Sequence, residues 1–216
     1  MNIEMIKIED SNLFMMCKSI NKDALSDIPN GYHIRNCKRD ELNLWFEFPF
    51  DNEEDKKSYK SFMDKYFKDV YGSNEDLFFE KCLFICDEND TPIGTCFSWK
   101  AYNSITTIHW FKVKKEQEGQ GIGRALISYV LNSIDEKDFP IFLHTQAGSF
   151  RAIKLYSDLG FVLLTDEKIG YRENHLNIAL PYLKEKMYLE DYNKLKFDKA
   201  TKEFLDAVKT SEINQF

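Results

Sequence analysis

The sequence predicts one mixed α/β domain: a twisted, mostly antiparallel sheet with helices on both faces. Two observations predict it. Three β-rich runs follow one another across turn residues between Leu83 and Val113, as in an antiparallel meander. The chain then alternates strand, helix, strand, helix and strand, which extends the sheet and covers it. A length of 216 residues fits one domain with appended elements, and 43% hydrophobic residues supply a sizeable core.

Residues 1–30 read as a short N-terminal helical arm ending in the turn Pro29-Asn30-Gly31. Residues 32–37 are the first expected strand. Residues 40–48 and 53–71 show helical spacing, with Tyr59, Phe62, Met63, Tyr66, Phe67 and Val70 near one face. Residues 83–86 form a short apolar run, closed by the turn Asp87-Glu88-Asn89-Asp90. Residues 93–99 and 105–113 follow as strands, the second rich in Thr, Ile, Trp, Phe and Val, as suits a central strand.

Further on, Ile122, Ala125, Leu126, Tyr129 and Val130 recur at the spacing of a helix lying on a sheet. Residues 139–145 form a strand, and 152–159 a helix stopped by Gly160. Two more strands are expected over 161–165 and 175–180. The charged segment 182–216 reads as a C-terminal helical extension with an imperfect stripe from Met187 to Val208. It packs on the domain, joins a second copy in a homodimer, or stays solvated.

Composition narrows the partners. A net charge of −7 without a dense Lys/Arg block argues against nucleic acid, whose phosphates need a basic face. The acidity either favours cationic partners such as amines or serves solubility alone. No apolar run approaches the roughly 20 residues of a membrane span, so no membrane partner is expected. The five cysteines are odd in number, lack a Cys-x-x-Cys pair and follow no signal-peptide pattern. They read as free thiols of a cytoplasmic protein. No His stands at metal-ligand spacing from Cys82 and Cys86, and no metal is expected. The 18 Phe and 11 Tyr supply either core or an aromatic-lined pocket.

The chemistry concentrates in Val113-Lys114-Lys115-Glu116-Gln117-Glu118-Gly119-Gln120-Gly121-Ile122-Gly123-Arg124. Glycines at alternate positions separate a strand from an amphipathic helix. Glycine permits positive φ and close backbone approach, so successive N–H groups at the helix start can cradle an anion. The spacing is not that of a dinucleotide fingerprint, because Gly123 comes one residue early. It is not a P-loop either, because no Gly-Lys-Ser/Thr follows.

Glu118-Gly119-Gln120-Gly121-Ile122-Gly123 resembles the Q/R-x-x-G-x-G/A turn of the GNAT superfamily of acetyl-CoA-dependent N-acetyltransferases. Downstream, Ser149-Phe150-Arg151-Ala152-Ile153-Lys154-Leu155-Tyr156-Ser157-Asp158-Leu159-Gly160-Phe161 is similar to that family's N-x-x-A-x-x-L-Y-x-x-x-G-F. The resemblance covers roughly residues 32–180, so the family domain is expected over 31–181. It implies a V-shaped cleft for acetyl-CoA. The cofactor would be held by the backbone of Phe111 and Val113, by the turn of Glu118, Gly119, Gln120, Gly121, Ile122, Gly123 and Arg124, and by Ser149 and Tyr156.

Two residues depart from the family pattern. Glu118 brings a negative charge to a pyrophosphate site, which Lys114, Lys115 and Arg124 are placed to offset. Ser149 stands where Asn is usual, and it can cap the helix and bond a pantetheine amide.

The resemblance further implies direct transfer of an acetyl group to a primary amine on a small molecule or peptide. Tyr156 takes the position of the general acid to the departing thiolate. His109 and His144 are the candidate bases for the amine, with Glu47 and Glu80 behind them and His33 and His175 structural. Two alternatives stay open. One is a GNAT-fold module that binds acyl-CoA without turnover; the other is a glycine-rich turn in an unrelated α/β domain.

Overall fold

The computed structural model describes residues 7–209, 211 and 213–216. Its first strand, β1, spans Asn12–Cys17, within the segment expected to be a helical arm. Residues 1–6 of that arm lie outside the described residues. The physical reason for the difference is burial on both sides. Leu13, Met15 and Cys17 enter one core while Phe14 and Met16 enter another. An all-apolar run shows no alternation, and Leu and Met are good helix formers.

The next elements run close to expectation. Strand β2 is His33–Asn36, helix α1 is Leu42–Glu47 and helix α2 is Glu53–Val70. Asn52 caps α2 by accepting from the backbone N of Asp55. A further helix, α3 (Glu75–Lys81), precedes the meander of β3 (Leu83–Cys86), β4 (Pro92–Ala101) and β5 (Ile105–Val113). Then come α4 (Ile122–Asn132), β6 (Ile141–Gln146), α5 (Phe150–Asp158) and β7 (Val162–Leu164). Of the apolar stripe expected on α4, only Tyr129 is exposed.

A two-stranded hairpin of β8 (Lys168–Ile169) and β9 (Arg172–Glu173) follows. The strand expected over 175–180 is replaced by helix α6 (Leu176–Lys186), which His175 precedes as N-cap residue and which continues through Pro181. Its buried residues Leu176, Ala179 and Leu183 have helical spacing, which a segment cut at the proline hides. The expected boundary at 181/182 therefore falls inside α6. Helix α7 (Leu189–Tyr192), strand β10 (Phe197–Asp198) and helix α8 (Lys202–Lys209) complete the chain.

The main sheet has the order β10-β7-β1-β6-β5-β4-β3-β2. Its neighbours are antiparallel except β5–β6 and β10–β7. One face carries the aliphatic core under α4, α5 and α6. The other is covered in two parts. An aromatic cluster around Trp45, Tyr71, Phe78 and Phe97 lies under α1–α3. Phe204 of α8 stacks on Phe142 of β6, ring centroids 3.9 Å apart, so part of the C-terminal segment packs on the domain. Most of the Phe rings are therefore core, whereas of the tyrosines only Tyr71 and Tyr156 are buried.

Candidate active site

The site begins where the sheet comes apart. Strands β5 and β6 pair only at Thr106–Ile141 and Thr107–Phe142. Beyond that point β6 continues to pair with β1, and β5 with β4, so the two strands diverge. Between β4 and β5 the register slips, and Trp110 and Phe111 have no partner opposite them. Trp110 takes a left-handed φ of 51° there, a conformation that costs a bulky residue roughly 1–2 kcal/mol. The divergence opens a cavity of about 790 Å³. Its walls come from Ile108 to Phe111 of β5, Leu143 to Gln146 of β6, and Ser149, Ala152 and Tyr156 at α5. Tyr66 of α2, Arg172 of β9 and Phe216 close one side.

The glycine turn follows β5. Gly119 and Gly121 adopt φ of 79° and 80°, and a Cβ at either would meet no atom within 4 Å. Glycine is needed there for conformation, while the space beside it is open. Gly123 has a different role: a Cβ would sit 3.2 Å from Phe111 Cζ, so its smallness lets α4 approach β5. Ala125 N donates to Gly121 O, starting the helix. The backbone N–H groups from Gly119 through Arg124 have no acceptor among the described residues. Such a run at a helix N-terminus is built to receive an anion.

Charge around the turn differs from expectation. Arg151 Nη1 donates to Glu118 Oε2 at 2.6 Å, so the carboxylate is compensated from α5. Arg124 does not offset it. Its guanidinium donates to Ala24 O at 3.0 Å and to Asp158 at 2.5 Å. Lys114 lies against the Phe48 ring, 5.7 Å from its centroid. Gln120 bonds Gln117 and Tyr32 through its side chain. Ser149 occupies the N-cap position of α5, but its hydroxyl makes no capping bond.

Tyr156, His109 and His144 all line the one cavity. The Tyr156 ring packs between Phe111 and Phe161 at 5.8 Å each, and its hydroxyl has no hydrogen-bond partner among the described residues. Burial pushes its pKa well above 10, which keeps it a phenol. His109 is buried, with Nδ1 2.5 Å from Tyr71 Oη and Nε2 without a partner among the described residues. His144 Nε2 donates to Asn12 Oδ1 at 2.9 Å, which leaves Nδ1 as a bare acceptor. Burial lowers both histidines to about 3, and Arg172 adds to the effect at His144. Both rings are therefore neutral at pH 7.

The other candidates lie elsewhere. Glu47 pairs with Lys56 at 3.9 Å, and Glu80 is exposed; neither lines the cavity. His33 bonds Asp90, and His175 Nδ1 accepts from Asn12 N. Among the described residues, His33, Cys86 and Asp90 come together at metal-ligand distance. Asp90 is already engaged by Arg35, Lys38 and His33, and this holds its carboxyl far below the usual range. Sequence reasoning missed Arg172, Tyr66 and Tyr71 as site residues. Arg172 carries no motif, and it stands in a hairpin that breaks the helix and strand periodicities on either side.

Residues 40–161 match the Acetyltransferase (GNAT) family, more than half of the chain, and the chain belongs to that family. Among solved structures it is similar to a GCN5-related N-acetyltransferase from Sphaerobacter thermophilus. That match has TM-score 0.52 and 16% identity over 72% of this chain and 49% of that one. It is also similar to an acetyltransferase of the GNAT family from Colwellia psychrerythraea. There the TM-score is 0.51 and the identity 12%, over 71% of this chain and 53% of that one. A tandem GNAT protein from the clavulanic acid biosynthesis pathway gives 0.50 and 12%, over 72% and 50%. The chain thus spans about half the length of these structures. At such identities the likeness is one of fold, and it agrees with the mixed sheet described above. No curated protein matches the sequence significantly. Among the described residues no helix is long and apolar enough to cross a membrane.

Proposed function

We propose that the protein transfers an acetyl group from acetyl-CoA to a primary amine. The observation that carries this is the run of N–H groups from Gly119 to Arg124 that lack an acceptor among the described residues; Gly123 of this run lies against Phe111, which lines the cavity together with the phenol of Tyr156. Those donors fit a pyrophosphate, and the open space at Gly119 and Gly121 lets one approach the backbone. The bound thioester would supply an activated acyl carbon; the chain's residues position and protonate.

In this reading the amine forms the C–N bond as the C–S bond breaks. Tyr156 donates its proton to the departing sulfur as negative charge builds there, and it regains one from the water that takes up the amine's proton, since burial disfavours the phenolate. His144 is neutral and presents Nδ1 as an acceptor that orients the amine. An imidazole that ionises near 3 does not hold a proton at pH 7, so the amine's proton passes on to water. His109, enclosed by Tyr71 and Phe97, shapes the wall. Buried free cysteines fit a reducing compartment such as the cytoplasm.

Calorimetry with acetyl-CoA, followed by amine-dependent thiol release, tests the proposal. Tyr156→Phe is expected to bind the thioester normally and lose about 100-fold in kcat. Binding without any amine-dependent release would instead make the chain a non-catalytic acyl-CoA module. Absence of binding would remove the CoA site altogether.

A further inference from the structure

Arg172 stands in β9, on the hairpin after β7, and lines the cavity. Its guanidinium lies 5.8 Å from the centroid of the Phe14 ring and 5.9 Å from that of Phe216. It forms no hydrogen bond and no ion pair among the described residues. Burial lowers its pKa, and the phenols of Tyr102 and Tyr66 oppose that shift only in part. Lys65 and Asp69, the other charged side chains that line the cavity, bridge each other. Both histidines are neutral. Arg172 is therefore a positive charge of the cavity wall that no side chain among the described residues pairs.

Cation–π contacts hold the faces of a guanidinium and leave its N–H edge unsatisfied. A half-buried charge without a partner is incompletely solvated, and a planar carboxylate accepts two of those N–H bonds at once. Arg172 is near enough to His144 to act on its charge, and the two share contact with the Phe14 ring, whose centroid is 5.1 Å from that of the imidazole.

We propose that Arg172 binds a carboxylate on the acceptor, so that the substrate is an amine that also bears a carboxylate, as a free amino acid does. This rests on the acetyl-transfer function above. The carboxylate seats on the guanidinium, and the amine end lies toward Nδ1 of His144. Polyamines and aminoglycosides bring several positive charges against Arg172 and are disfavoured by the same geometry.

The test uses the whole protein saturated with CoA and calorimetry with the proteinogenic amino acids, their carboxamides and putrescine. At least one amino acid is expected to bind, with its carboxamide at least ~30-fold weaker and putrescine silent. Arg172→Lys keeps the charge but loses the planar fork and should fall between wild type and Arg172→Gln. CoA affinity serves as the folding check for both variants. A carboxamide that binds as tightly as its acid, or no amino acid binding to the CoA-loaded protein, overturns the proposal. The acid–amide comparison needs no variant. Failure of CoA itself to bind overturns the acetyl-transfer function, and the two failures are thereby distinct.

Discussion

His109 sits in the aromatic cluster with one ring nitrogen engaged and the other alone. Trp110 Nε1 donates to Tyr71 Oη at 3.2 Å, and the Tyr71 hydroxyl in turn meets His109 Nδ1. With the Tyr71 proton donated to Nδ1, the imidazole keeps its own proton on Nε2. Charging this ring would place a cation in the middle of Tyr71, Phe97 and Trp99, with no carboxylate near it. That is why burial holds the folded value to about 3, against 6.5 in an open chain. The sign follows directly. Between those two values the unfolded chain binds the extra proton, so stability is lost as pH falls below 6.5. The loss approaches about 1.4 kcal/mol per pH unit for one such group. Urea midpoints measured from pH 7 down to 4.5 should therefore drop more steeply in the wild type than in His109→Gln. Parallel slopes would show that His109 is not a neutral buried group. His144 carries the same sign, and its tie to Asn12 makes β1 part of the site.

At the scale of elements, the turn between β5 and α4 was the most legible part of the sequence. The positions of Gly119, Gly121 and Gly123 already told of positive φ and close approach; the structure separates the two causes. Ala at 119 or 121 meets no neighbour, yet it must hold a left-handed φ, at a cost of roughly 1–2 kcal/mol. Relief of that strain rotates the peptide N–H groups away from a common centre. Gly119→Ala and Gly121→Ala should thus lower stability modestly and weaken CoA binding by about tenfold or more. Gly123→Ala presses on Phe111, a packing fault that urea titration should detect with a smaller effect on CoA affinity. Calorimetry on the three variants checks this, and equal CoA affinity across them would count against a backbone cradle. Legibility failed where a segment's periodicity was hidden. Strand β1 has no alternation because both of its faces are buried, α6 is masked by Pro181, and β10 is only two residues long. The partners of Glu118 and Arg124 were also illegible. Arg151 and Asp158 lie in α5, and only the folded chain brings them to the turn.

For the whole molecule, the decisive feature is the place of β1. It pairs antiparallel with β6 over Asn12–Cys17 and with β7 at Met15 and Met16, and so fills the gap between two strands that come late in the chain. The residues that match the family, 40–161, do not include it. They also omit β2, β7, and α8, whose Phe204 covers Phe142. A fragment limited to 40–161 would expose Leu143, Phe142 and Ile141 on an unpaired edge of β6, with both faces partly uncovered. An apolar central strand turned into an edge invites association rather than folding. Loss of Leu13, Phe14, Met15 and Met16 from the two cores removes about 1.5–3 kcal/mol of burial for each side chain. That total is comparable to the entire stability of an ordinary domain. The fragment is therefore expected to show no cooperative urea transition and no CoA binding, while the full chain shows both. Circular dichroism during urea titration, with calorimetry on the same samples, decides it. A cooperative, CoA-binding fragment would mean that β1 is an accessory strand, and that the position of His144 does not depend on it.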